Sequence, residues 1–434
     1  MKKISTVILA AGKSSRFKHS KSKIFNELAG LPIIDHVYNV AFKVSKNDII
    51  FVCNKDNYND LKNKFINAKF VIQNKQNGTA DAINCAKKHL KSKNVLILFG
   101  DVPLLSSKSI NKLINSFYNN KSIGSLIAFE NDNPYGYGRI KIKGKYATSI
   151  VEEINATPIE RKITLCNSGV MICNFKLLFS NLDKIKNKNI KKEKYLPDLI
   201  SILSKQKKNF TYVSCPKNEM LGVNSIEDLI VVEKIYQNHL KEKIIKNGVI
   251  IQQPETVTVS YDSKVMKGCT IEPFVFLKPN VSIKNDVVIK SNSVLEGCLI
   301  DTKSSIGPSA RIRPKTSIGK MVKIGNFVEV KNSQIGDRTS VSHLSYIGDA
   351  KIAKDTNIGA GTITCNFNGK KKNKTIIEKG VFIGSNCSLI APLTIGANST
   401  IGAGSVVTES IPPNHLALER SKMKILRKQR KNKY

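Results

Sequence analysis

The apolar positions of the chain follow two different rhythms. Up to about residue 224, short apolar runs at 4–9, 49–52, 70–72, 95–99 and 123–129 alternate with amphipathic stretches at 32–46, 58–66, 80–90 and 108–118. Strands alternating with helices at this spacing predict a mostly parallel α/β sheet with both faces covered. Sheets of that kind bind ligands beyond the carboxyl ends of their strands. Ser225-Ile226-Glu227-Asp228 then reads as a capping box, opening one long helix over 225–248 that Gly248 closes.

From about residue 249 the period becomes six. Val259, Val265, Ile271, Leu277, Ile283, Ile289 and Leu295 fall in register, as do Ile306, Ile312, Ile318, Ile324 and Val330. Ile335, Val341 and Ile347 follow, then Ile352 and Ile358 after a step of five, and later Ile377, Ile383, Leu389, Ile395, Ile401 and Val407. A period of six matches neither an α-helix nor a half-buried strand. It predicts a β-helix of hexapeptide repeats, with roughly 18 residues per three-sided coil and about eight coils. The register breaks between Ile358 and Ile377, so residues 359–374 are expected to loop out without a partner on their own coil.

Length and composition narrow the class. A chain of 434 residues exceeds one ordinary core, so two domains are expected. The 41% hydrophobic and 24% charged content is globular usage. No apolar run approaches the roughly 18 residues of a membrane span. The apolar stretch before Gly12 is too short for a secretory signal, and a cytoplasmic location is expected. The 70 basic against 33 acidic residues give a net charge of +37. Lysine is spread along the whole chain with asparagine and isoleucine, which reads as compositional drift, and neither a nucleic-acid nor a membrane partner is expected. Nine cysteines without a C-x-x-C pair argue for reduced thiols and against a zinc site.

Candidate chemistry sits at strand ends. Leu9-Ala10-Ala11-Gly12-Lys13-Ser14-Ser15-Arg16 follows the first strand, where small residues let backbone N–H groups close on phosphate and Arg16 adds charge. Phe99-Gly100-Asp101-Val102-Pro103 ends another strand at the same sheet edge and places a carboxylate suited to Mg²⁺. Lys23, Gln73 with Gly78-Thr79, Tyr137-Gly138-Arg139, Glu152, Asn167 and Gly222-Val223-Asn224 complete an ordered set.

This order resembles the sugar-1-phosphate nucleotidyltransferases. With the hexapeptide half, residues 4–420 resemble the bacterial bifunctional N-acetylglucosamine-1-phosphate uridylyltransferase / glucosamine-1-phosphate acetyltransferases. The most specific stretches are 325–331, 343–350 and 359–366. The resemblance implies a Rossmann-like nucleotidyltransferase domain over 1–224, a linker helix over 225–248, a left-handed parallel β-helix over 249–420 and a basic tail over 421–434. It also implies two steps of UDP-N-acetylglucosamine synthesis: N-acetylation of glucosamine 1-phosphate from acetyl-CoA, then uridylyl transfer from UTP with release of pyrophosphate. A homotrimer is implied as well.

Residue by residue, the resemblance assigns the uridine nucleotide to Leu9, Ala10, Ala11, Gly12, Arg16, Lys23, Gln73, Gly78, Thr79, Phe99 and Gly100. Asp101 and Asn224 would hold Mg²⁺. Gly138, Glu152, Asn167 and Asn224 would bind N-acetylglucosamine 1-phosphate. In the second half, His343 would be the general base that frees the amine to attack the thioester. Arg313, Lys331, Tyr346, Asn357 and Lys372 would hold the amino-sugar phosphate. Ala360, Asn366, Phe367, Ser385, Ala403 and Arg420 would contact acetyl-CoA. The sequence departs from the family at Ser14 (a glycine), Ser22 (a proline) and Phe99 (a tyrosine), which implies weaker nucleotide binding and not its loss; among the acetyl-CoA contacts, Phe367 stands where the family tends to have a tyrosine. Two rival readings are a nucleotidyltransferase whose β-helix serves assembly only, and a non-catalytic polyanion binder driven by the +37 charge.

Overall fold

The computed structural model describes residues 3–12, 17, 22–186, 193–419 and 423–425. It divides into two compact units, Met1–Tyr236 and Gln237–Tyr434. Among the described residues, no helix is long and apolar enough to cross a membrane.

The first unit is built on a nine-stranded sheet of β1 (Ile4–Leu9), β2 (Ile49–Cys53), β3 (Lys69–Ile72), β4 (Asn94–Phe99), β5 (Gly124–Glu130), β6 (Arg139–Lys143), β7 (Tyr146–Val151), β8 (Leu165–Asn174) and β9 (Phe210–Ser214), in the order β3-β2-β1-β4-β8-β5-β9-β7-β6. Helices α1 (Ile33–Ser45), α2 (Tyr58–Lys64), α3 (Thr79–Ala86) and α4 (Ser107–Asn119) connect the early strands. Successive residues of a strand point to opposite faces, and the burial follows that rule. Val95 and Ile97 of β4 pack with Ile83 of α3, while Leu96 and Leu98 pack with Val37 of α1 and Ile110 of α4. The central strands are therefore apolar on both sides, which is why they read as continuous runs.

The expectation of a mostly parallel sheet holds for β3-β2-β1-β4 and for the β5–β9 pair, while the remaining pairings are antiparallel. Strand β8 runs antiparallel between β4 and β5, and the β6–β7 hairpin is antiparallel at the far edge. The edge strand β6, Arg-Ile-Lys-Ile-Lys, is exposed along most of its length, so it carries no apolar run to announce it.

The second unit is a left-handed parallel β-helix, its strands stacked into three sheets of ten, nine and eight strands. Three columns of aliphatic side chains fill the axis; one runs Ile271, Ile289, Ile306, Ile324 and on through Val341, Ile358 and Ile383 to Ile401. Each buried aliphatic residue contributes about 1.5–3 kcal/mol of apolar burial. Three residues after an axial position the chain turns with positive φ, as at Asn280, Asp286 and Asn292, where short polar side chains tolerate the left-handed region.

Two details differ from the hexapeptide expectation. The apparent gap between Leu295 and Ile306 is filled by Ile300, fully buried after a step of five. Residues 359–365 also remain in the coil: Thr364, fully buried, takes the axial slot six after Ile358 and pairs in register with Leu389. Thr364 Oγ1 contacts the Gly348 N–H (2.7 Å) and the carbonyls of Gly348 (3.1 Å) and Tyr346 (3.3 Å), which is how a hydroxyl survives on an apolar axis. Only 366–374 leaves the coil, and it is tied to its own coil by Asn366, whose amide donates to Asp349. The coil strands run from Ile250–Ile251 to Leu416–Ala417, inside the expected 249–420.

The long helix Ile226–Lys246 begins at the expected capping box. Asp228 Oδ2 accepts from the Ser225 N–H (2.9 Å), and Ser225 Oγ accepts from the Asp228 N–H (3.2 Å). Within the second unit, Gln237 exchanges two hydrogen bonds with the backbone of Val259, so the helix satisfies part of the open first coil.

Candidate active sites

In the first unit the carboxyl ends of β1 and β4 frame a cleft of about 610 Å³. Leu9, Ala11, Gly12, Gln73, Gly78, Thr79, Phe99 and Asp101 of the expected set line it, together with Gln76, Glu193 and Tyr195. Ala10 does not line this cleft; it is buried, and its carbonyl accepts from Asn57 Nδ2 (2.8 Å). Gly100 is also set back, its N–H donating to the Leu9 carbonyl (2.9 Å). Asn57 and Gln76, whose Nε2 donates to the Ala11 carbonyl (2.7 Å), fix the loop backbone after β1; neither stands out in the sequence. Gly78 has φ +107, and a Cβ there would collide with the Lys194 backbone. That close approach is bonded through Ala80 N–H to Lys194 O (3.0 Å) and Leu196 N–H to Thr79 Oγ1 (2.9 Å). Arg16 lies outside the described residues.

At the cleft mouth, Lys23 Nζ lies 2.5 Å from Asp101 Oδ2 and 2.8 Å from Asn224 Oδ1. Three residues distant in sequence thus converge on one point. Two hard oxygens already share one cation, so the donor set fits a divalent metal that completes its shell with phosphate and water.

A second cleft of about 340 Å³ adjoins the first and shares Thr79, Phe99, Glu193 and Tyr195 with it. Gly138, Glu152 and Asn167 line this cleft, as expected. A register shift in β8 between Asn167 and Met171 leaves Gly169 at φ +81, with the Phe99 ring seated where a Cβ would be. Burial and the nearby Glu193 and Glu152 carboxylates push the Tyr195 hydroxyl above its usual range. Neither Tyr195 nor Gly169 was among the expected site residues.

In the second unit His343 is exposed at a coil corner, its Nδ1 2.8 Å from Asn326 Oδ1 in the register pair of the preceding coil. The residues after each, Phe327 (φ 55) and Leu344 (φ 48), turn with positive φ despite bulky side chains. On the adjacent face Arg313 Nη1 donates to Glu329 Oε1 (2.7 Å). Lys372, foremost, and Arg313 hold the Lys331 ammonium below the usual lysine range by like-charge repulsion. The three expected phosphate-binding cations therefore cluster on one chain. Tyr346 packs over Gly348, where a Cβ would strike the phenol. Asn357 lies on the same sheet as His343, one coil further on, paired in register with Ser340.

Ala360, Ser385 and Ala403 occupy successive coils. Asn386 N–H donates to Ala360 O (2.7 Å) and Gly404 N–H to Ser385 O (2.8 Å). Gly359 and Gly384 beside them meet the next coil's backbone too closely for any side chain. The result is a column of small residues running along the axis. Asn366 is buried and Phe367 exposed on the projecting loop, where Phe367 bridges Lys372. Arg420 lies outside the described residues.

A Rossmann-like nucleotidyltransferase unit joined to a hexapeptide β-helix defines a two-site transferase. Residues 6–153 match the MobA-like NTP transferase domain, 295–368 the GMPPB C-terminal domain, and 374–409 the bacterial transferase hexapeptide of six repeats. The bifunctional protein GlmU of Campylobacter fetus subsp. fetus is 40% identical over 427 residues, covering 97% of this chain and 96% of its own. That of Rhizobium leguminosarum bv. trifolii is 44% identical over 424 residues (96% and 93%), and that of Agrobacterium fabrum 36% identical over 424 residues (96% and 93%). The chain belongs to the GlmU family of bifunctional proteins. It is a bifunctional transferase of UDP-N-acetylglucosamine synthesis, with uridylyltransferase and acetyltransferase activities in one polypeptide.

Proposed function

We propose that the two activities divide between residues 1–224 and 249–420, joined by the helix over 225–248 and followed by a basic tail over 421–434. The observation that carries the assignment is the shared wall of the two clefts in the first unit. A nucleotide in the larger cleft and N-acetylglucosamine 1-phosphate in the smaller would meet at Phe99 and Thr79. Backbone of 9–12 and Gln73 hold the base and ribose, and Gly138, Glu152 and Asn167 hold the sugar. Asp101 and Asn224 would hold Mg²⁺, which supplies charge neutralisation at the phosphates. Lys23 adds a second positive charge there. The sugar phosphate oxygen attacks the α-phosphorus and pyrophosphate leaves, a reaction driven by positioning and electrostatics.

In the second unit Arg313, Lys331 and Lys372 bind the phosphate of glucosamine 1-phosphate, and Tyr346 and Asn357 bind its ring. Asn326 accepts from His343 Nδ1–H, so Nε2 carries the lone pair that takes the amine proton. The free amine attacks the acetyl-CoA carbonyl and the thiolate leaves. The small-residue column at Ala360, Ser385 and Ala403 suits an extended pantetheine arm, with Asn366, Phe367 and Arg420 completing the site. Exposed Phe276, Ile363 and Phe382 on the coil faces support a homotrimer, and the location is cytoplasmic.

Incubating the protein with glucosamine 1-phosphate, acetyl-CoA, UTP and Mg²⁺ tests this reading. UDP-N-acetylglucosamine should form; omitting UTP or Mg²⁺ should leave N-acetylglucosamine 1-phosphate, and omitting acetyl-CoA should leave neither product. Turnover with no dependence on one reagent would refute the corresponding assignment.

A further inference from the structure

Arg139 heads the fully buried side chains by size, and it stands behind the sugar cleft without lining it. Its guanidinium donates to the Tyr137 carbonyl and, at 2.5 Å, to Glu153 Oε2. The same carboxylate accepts from the Gly136 N–H (3.3 Å), and Glu153 Oε1 lies 3.6 Å from Arg161 Nε. These bonds, Arg139 first, hold the Glu153 carboxyl below its usual range.

The connectivity gives the pair its meaning. Tyr137 precedes Gly138, and Glu153 follows Glu152. Arg139 and Val151 are register partners, so the ion pair ties together the two backbone ends that carry the walls of the cleft. Among the described residues, Arg139 Nε is buried without a partner, an expensive arrangement for a clamp that served stability alone. None of these groups lines the nucleotide cleft.

We propose that Arg139 and Glu153 are positioning residues for the sugar phosphate: their ion pair sets the separation of Gly138 from Glu152 and so the affinity for the sugar, leaving the nucleotide unaffected. This rests on the assignment of Gly138, Glu152 and Asn167 to N-acetylglucosamine 1-phosphate.

The test uses the full chain and steady-state kinetics of both activities. Glu153→Gln keeps the side-chain shape and removes the charge; it should raise KM for N-acetylglucosamine 1-phosphate by about 10-fold or more, with kcat and KM for UTP within about twofold. Arg139→Met should do the same, and Arg139→Lys should recover part of the loss. Acetylation serves as the internal control and should not change. Glu152→Gln separates the two ideas. If it leaves the sugar KM unchanged, the cleft assignment fails. If it raises that KM while Glu153→Gln does not, or if Glu153→Gln raises both KM values together, the clamp is overturned. Should Arg139→Met fail to fold, Glu153→Gln still decides.

Discussion

His343 Nδ1 lies 2.8 Å from Asn326 Oδ1, joining two residues on neighbouring coils through one register position. An amide oxygen accepts the Nδ1–H hydrogen bond and carries no charge, so its part is to orient the ring. A carboxylate in the same place would favour the imidazolium.

That distinction gives the first prediction. Asn326→Ala frees the ring and should lower kcat for acetylation on the order of 10–10²-fold, with uridylyl transfer unchanged. Asn326→Asp should raise the pKa of His343. Since only neutral imidazole can take the amine proton, the acid limb of the acetylation pH–rate profile should move to higher pH by about one unit or more. An unmoved limb would separate Asn326 from the base.

Asp101 is the second target. Asp101→Asn keeps the shape but removes the charge that faces Lys23 and that would face a divalent cation. Uridylyl transfer should fall by about 10²-fold or more while acetylation continues at its normal rate. Mn²⁺ binding in the presence of UTP, followed by electron paramagnetic resonance, should weaken in parallel. Equal damage to both activities in a folded protein would contradict the two-site assignment.

Thr364 offers a test of stability. Its hydroxyl is shared among the Gly348 N–H and two carbonyls inside the coil. Thr364→Val preserves volume and strands the Gly348 N–H, so it should destabilise the second unit by about 1–3 kcal/mol in denaturant unfolding. Thr364→Ser, keeping the oxygen, should cost less. A neutral Thr364→Val would mean that the hydroxyl is not needed there.

Thr364 also shows where the sequence stops being readable. The six-residue period exposes the β-helix because axial positions are aliphatic almost without exception. At 364 the slot is filled by a polar residue made acceptable by backbone partners, and hydrophobicity alone assigns it to a loop. Ile300 is hidden for the opposite reason: its side chain is ordinary, but its step is five. In the first unit, β8 and the β6–β7 hairpin carry polar or exposed residues and escape an apolar-run reading. Most site residues expected from motif order do converge, because Lys23, Asp101 and Asn224 lie at loop ends that the sheet gathers to one edge. Asn57, Gln76 and Tyr195 act by fixing backbone or lining a wall, and an isolated polar residue gives no sequence signal for such work.

The last prediction follows from the cations on the β-helix face. Lys331 is held below the usual lysine range by Lys372 first and Arg313 after it. A depressed pKa means that Lys331 loses its proton at a lower pH than an ordinary lysine. Its attraction for a phosphate dianion is then lost earlier as pH rises, so KM for glucosamine 1-phosphate should climb on the alkaline side before the usual lysine range is reached. Lys372→Met removes the main repulsion. It should weaken sugar-phosphate binding overall by about 10-fold and, at the same time, shift the alkaline limb of the KM profile to higher pH. The loop that carries Lys372 is anchored to its own coil through Asn366 and Asp349, so the pair belongs to one chain. Reassembling a mixture of Lys331→Ala and Lys372→Ala chains should therefore restore no activity beyond that of the two variants alone. Recovery toward a quarter of the wild-type rate would show instead that Lys331 and Lys372 meet across a subunit boundary, and that the loop leaves its own coil in the assembled protein.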